Sequence, residues 1–260
     1  MKEAAMNNFF SLRRFGLLFI KHSAEHYRTY LMAIAVLTGV ALLGGCFLFF
    51  IVPEPPDPGL QTACFVMLML ISGTIFTSTV FSDYGIKNKA IATITLPASS
   101  FEKYMVGWLY SYPIFMLVYT CVFFLILFIL GHLSPWPHFE TMTLEQPDMY
   151  MVIIIYSILH AITIFGAIFF NKLHFIKIGF SFFIGYVMLL LFNTLFLKII
   201  TGLNVVKLEL PFGFLNFTTG NKSYSLAVFG AYATMILTTI FVSAAMIWVA
   251  AYFRLKEKQV

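Results

Sequence analysis

Only 10% of the 260 residues are charged and 60% are hydrophobic, against about 25% charged in an ordinary soluble domain, so the chain cannot cover itself with solvated groups and lipid must be one of its solvents. The net charge of +5 does not mark a nucleic-acid partner, because lysines and arginines fall in small clusters beside apolar runs, where topology and anionic headgroups require them. The length suits one membrane domain over residues 1–260 without a separate soluble enzyme. Cys46, Cys64 and Cys121 lie inside apolar runs, which argues against a disulfide framework or a zinc site.

In chain order, the segment from Asn7 to Arg28 is apolar in places but too charged to cross a bilayer. Phe9 and Arg13 open it. Phe15, Leu18, Phe19, His22 and His26 then recur at helical spacing, with Arg14, Lys21, Glu25 and Arg28 available to face water. This predicts an N-terminal interfacial helix along the cytoplasmic leaflet. His22 and His26 share a face but have no third ligand in view, so no metal site is predicted.

Crossing the hydrocarbon core takes about 20 residues of helix. Six charge-free runs meet that length: Leu31–Val52, Leu60–Phe81, Met105–Leu130, Met149–Phe170, Ile178–Leu197 and Ala227–Phe253. The prolines between Pro53 and Gly59 stop the first run and predict a tight surface hairpin. The fold class is therefore all-α, a polytopic membrane protein with six transmembrane helices.

Between the second and third runs lies an inner loop, FSDYGIKNKAIATITLPASSFEKY. Asp83 is placed to cap a short helix whose apolar side is Ile86, Ala90, Ile91 and Ile94, with Lys87 and Lys89 facing water or a protein. Tyr84 and Gly85 belong to its first turn. Pro97 ends it. Ser99 and Glu102 then have the spacing of a capping box, opening a new helix into the third run.

Within the membrane, the polar residues to watch are Ser72 and Thr79 in the second run, His160 near the middle of the fourth and Asn193 in the fifth. The residues themselves leave these open between interhelical hydrogen bonds and a substrate or proton path. The loop from Thr201 to Leu226 reads as one or two short segments entering the interface, broken at Pro211 and Gly213.

Orientation follows from counting. With the N-terminus inside, Lys2, Arg13, Arg14, Lys21, Arg28, Lys87, Lys89, Lys103, Lys172, Lys177, Arg254, Lys256 and Lys258 stay inside. Only Lys198, Lys207 and Lys222 of the 16 Lys and Arg residues fall outside. That bias places both termini in the cytoplasm. The 260 residues contain no GxxxxGK[ST], HExxH or GxSxG and no paired carboxylates within the runs, so neither ATP hydrolysis nor any other enzyme activity is expected of this chain.

The stretch TLPASSFEKY, Thr95 to Tyr104, and the opening FFSLRRFGLLFIKHSAEHYRTYL, Phe9 to Leu31, resemble the permease subunits of type-2 ATP-binding-cassette exporters, especially those of Bacteroides-like bacteria. The resemblance implies a bacterial inner-membrane protein paired with a second permease subunit, as a homo- or heterodimer, and with P-loop ATPase subunits. Those partners would supply ATP and Mg2+ chemistry. It makes Asp83 to Ile94 a coupling helix that docks on an ATPase, Phe9 to Tyr27 the connecting helix, and Val205 to Phe217 short outer helices. An ion-coupled secondary transporter and a non-transporting scaffold or sensor are the alternatives.

Overall fold

A computed structural model describes residues 10–50, 55–85, 98–133, 139–144, 149–170, 174–201, 214–219 and 222–257. Its body is six helices, each long and apolar enough to cross a bilayer: α1 (Leu12–Phe50), α2 (Pro58–Gly85), α3 (Ser100–Leu133), α4 (Met149–Phe169), α5 (His174–Thr201) and α6 (Val228–Glu257). The chain is a polytopic, largely helical membrane protein.

The helix starts follow local chemistry. Asp57 opens α2 by accepting the Leu60 N–H at 3.1 Å, and its carbonyl accepts the Gln61 N–H, which satisfies two donors that a helix start would otherwise leave orphaned. Gln61 is itself buried and pins the loop through Glu140 and Met142: its Nε2 donates to the carbonyls of Pro56 and Glu140, each at 2.8 Å, and its Oε1 accepts the Met142 N–H at 3.0 Å. Pro113 inside α3 cannot donate and would clash with the preceding turn. The helix absorbs it in a π turn, Tyr110–Ile114, where the Phe115 N–H reaches back to the Tyr110 carbonyl.

The expected interfacial helix is not a separate element. α1 runs unbroken for 39 residues, about 58 Å at the usual helical rise, so the polar opening and the first span are one rod. Its assignment of faces also changes. Phe19 and Arg14 turn toward α3 rather than lipid or water and Phe15 packs on Phe10, whereas Leu12, Leu17 and Ile20 are exposed. Lys21 pairs with Glu25 at 3.6 Å on the exposed side.

α4 is the central post. It buries Val152, Tyr156, His160 and Thr163 on one stripe and Ser157, Ala161, Ile164 and Ile168 on the next, because both α2 and α6 pack against it. Small residues set the approach: a Cβ at Gly73 of α2 would run into the Tyr156 ring, and one at Gly166 into Ile178 of α5. One apolar cluster is built from Phe49, Phe65, Met69, Tyr119, Phe123, Leu130 and Met142 toward the hairpin end. A second, from Phe81, Tyr104, Ile164, Ile168, Ala251 and Leu255, lies toward the other. α5 meets the body near Ile178, and its window from Ile176 to Ile199 has no buried residue besides that contact region.

Among the described residues the only strands form an antiparallel hairpin, β1 (Phe214–Thr219) and β2 (Lys222–Ala227), registered Phe214 to Ala227 and Thr219 to Lys222. The short outer helices implied for Val205 to Phe217 are therefore corrected over Phe214–Phe217, which are extended. Leu215 and Phe217 alternating with Asn216 and Thr218 give that stretch the period of a strand. Residues 205–213 lie outside the described part.

Candidate functional site

Two polar constructions stand out from the apolar body. The first sits at the start of α3, just after residues 86–97. Ser99 has extended backbone, and its hydroxyl accepts the Glu102 N–H at 3.2 Å, while Glu102 Oε2 accepts the Ser99 N–H at 2.9 Å. That is a capping box.

Glu102 does more than cap its own helix. Its other oxygen, Oε1, accepts the Ser11 N–H at 2.7 Å and faces Arg14 Nη2 at 3.2 Å. Ser11 in turn starts α1, since its carbonyl accepts the Phe15 N–H. One carboxylate therefore caps the beginnings of two helices, where a negative charge is favoured by both macrodipoles. Its side chain is 0% exposed, and that of Arg14 is 30% exposed.

The neighbouring residues extend this joint. The Phe101 ring meets Phe10 of the entry segment at 6.1 Å and Tyr252 of α6 at 5.9 Å, both edge-on. The Tyr104 hydroxyl donates to the Trp248 carbonyl of α6 at 2.9 Å. At the end of α2, buried Tyr84 donates to the Lys103 carbonyl at 3.4 Å. Both ends of the 86–97 segment are thus tied into the same knot of α1, α2, α3 and α6.

The second construction is a polar belt inside the membrane. His160 of α4 is fully buried, with Ser111 Oγ 2.9 Å from its Nε2 and the Trp248 indole N–H donating to its Nδ1 at 3.1 Å. An indole N–H can only donate. Nδ1 therefore carries no proton, the ring is neutral, and Nε2–H donates to Ser111. The Ser111 hydroxyl passes its own proton to the Gly107 carbonyl at 2.8 Å. The chain of bonds ends on backbone and joins α3, α4 and α6. Beside it the Tyr156 hydroxyl donates to the Ser111 carbonyl at 3.0 Å and Tyr112 pairs with Ser157 at 2.6 Å, all around the π turn.

The four membrane polar residues expected from sequence are not one site. His160 lies in this belt. Ser72 bonds to the Leu68 carbonyl and borders a gap beside α1, and Thr79 is exposed and bonds to the Ile75 carbonyl at 2.9 Å. Asn193 is half-buried on α5, well beyond that helix's contact with α4.

Asp83 also differs from expectation. α2 continues through Asp83 and Tyr84 to Gly85, so Asp83 sits in the last turn of one helix instead of capping another. Phe9, Ile86, Lys87, Lys89, Ile91, Ile94 and Pro97 lie outside the described residues.

Sequence reading passed over Gln61, Ser111 and Trp248. Pro113 was the visible signal for the second, since a proline in an apolar run demands a helix distortion. No group of three His, Cys, Asp or Glu converges among the described residues. Comparisons with family models, with characterised proteins and with solved structures find no match to this chain.

Proposed function

We propose that the chain is the membrane-spanning subunit of an ATP-driven exporter of the type-2 ATP-binding-cassette kind, held in a bacterial inner membrane with both termini cytoplasmic. The observation that carries this reading is the Glu102 joint. The described residues on either side of 86–97, Tyr84 and Ser99, are both anchored to the bundle beside Glu102. A push on that segment is delivered to α1, α2, α3 and α6 together. A loop that merely connects two spans needs no buried carboxylate shared between two helix starts.

In this reading Ile86, Ile91 and Ile94 dock on a separate P-loop ATPase, which holds ATP and Mg2+. Nucleotide-driven closure biases the membrane subunits between inward and outward exposure. A second permease subunit, identical or related, meets apolar surface that α1 and α5 leave uncovered. Chemistry by residues of this chain is not required.

Native purification in mild detergent followed by mass spectrometry tests the partner directly. The expected result is a P-loop ATPase held in fixed proportion to the chain. Substrate flux by the chain alone in vesicles, driven by an ion gradient, would overturn the proposal in favour of a secondary transporter.

A further inference from the structure

We infer that the crevice between α1 and the α2–α3 pair holds the acyl chain of a membrane lipid, with the lipid's polar head at the His22–His26–Tyr30 end. α1 touches α3 firmly near one end, where the Phe19 ring stacks on Tyr110 at 4.7 Å. Near the other, Gly45 lies against Leu130 and the Phe49 ring sits 4.8 Å from Phe139. Between these contacts the helices stand apart. Two cavities, of about 220 and 370 Å³, follow one another along α1. The first is walled by Ala33, Leu37, Phe76 and Ile114 and the second by Gly44, Leu48, Phe123 and Leu127.

Size and lining decide what fills them. Each is many times the roughly 30 Å³ that one water takes in the liquid, and packed interiors do not leave such gaps. Their walls are almost wholly apolar, so water has too few partners there. A second protein helix, about 10–12 Å across, would have to force α1 away from the contacts that hold it to α3. Hydrocarbon is thin, flexible and apolar, and it fits without moving them. From Tyr30 to Phe49 the crevice runs about 28 Å along α1, nearly the roughly 30 Å of both leaflets' hydrocarbon together, so a lipid headed at the Tyr30 end fills the half nearest it, where the first cavity lies.

One end of the crevice is polar, as an amphiphile requires. Tyr30 and Tyr110 line the first cavity. Behind them His22 Nε2 lies 2.5 Å from the Tyr30 hydroxyl, the His26 ring stacks on His22 at 4.5 Å, and Ser23 bonds to the Tyr110 hydroxyl. These groups stand just before Leu31, where the charge-free run begins, and so at headgroup depth. Because the surrounding bilayer is as apolar as the crevice, selection of a resident lipid comes from close packing and from hydrogen bonds to its head. The inference stands whether or not an ATPase drives the chain.

The test compares Ala33→Phe, which fills the first cavity, with Ala35→Phe on the exposed side of the same helix. Each protein is purified from membranes in mild detergent and weighed intact. Wild type and Ala35→Phe should retain a phospholipid, and Ala33→Phe should retain about tenfold less. Equal retention by both variants, no retention by wild type, or an adduct of peptide mass overturns the inference. Should Ala33→Phe fail to insert, wild type in phospholipid vesicles carrying a diazirine on the acyl chain decides the matter. Adducts on Ala33, Leu37, Phe76 or Ile114 support it. Labelling confined to outward-facing Met32, Val36 and Leu43 contradicts it.

Discussion

Glu102→Ala lowers the stability of the detergent-solubilised protein by about 3 kcal/mol, the low end of what breaking a buried ion pair costs. The low end applies because Arg14 is partly exposed and recovers some hydration once its partner is gone. The main loss is elsewhere: the Ser11 and Ser99 N–H groups keep their places at two helix starts and lose their acceptor. Glu102→Gln preserves the shape and one carbonyl oxygen, and it costs about half as much. Arg14→Ala costs about 1 kcal/mol. Denaturant titration of the three variants separates these values. A Glu102→Ala protein as stable as wild type would remove the joint from the account.

His160→Leu is expected to cost about 2 kcal/mol. The Trp248 N–H loses its acceptor inside the membrane, and an unsatisfied donor there costs about 1–3 kcal/mol. The Ser111 hydroxyl keeps its bond to the Gly107 carbonyl, so that side of the network loses less. Membrane hydrogen bonds average only about 0.6 kcal/mol in double-mutant cycles, which is why the estimate rests on the stranded donor and not on the lost bond. A cycle with Trp248→Phe makes the distinction. Removing the indole N–H as well removes the orphan, so the double variant should be no less stable than His160→Leu. Additive losses would show that the two residues act separately.

How much of this was legible depends on whether the physics is local. A charge in hydrocarbon is costly wherever it falls in the chain, so charge-free runs reveal spans directly; α4 ends within one residue of the run read from Met149 to Phe170. A capping box is also local, and Ser99 with Glu102 three residues on announces one. What sequence could not show is that the same carboxylate reaches Ser11, 91 residues away. Lacking that partner, Arg14 read as a water-facing residue and the opening of α1 as a helix lying on the leaflet. His160 was visible as a polar group at membrane depth. Its partners were not, because Ser111 and Trp248 lie 49 and 88 residues from it and nothing in a serine or tryptophan marks which histidine it meets. The hairpin was missed for a different reason. Its alternating residues carry a strand period, but six-residue strands are too short to compete with the apolar content of the loop around them.

On the proposed function, residues 86–97 are the place where a cytoplasmic motor meets the membrane subunit. A photo-crosslinking amino acid at Lys89, activated in intact membranes, puts that to the most direct test. The expected product is a covalent adduct between this chain and a P-loop ATPase, formed from the cytoplasmic side. Adducts to lipid alone, or labelling of position 89 by a reagent confined to the opposite face of the membrane, would contradict it.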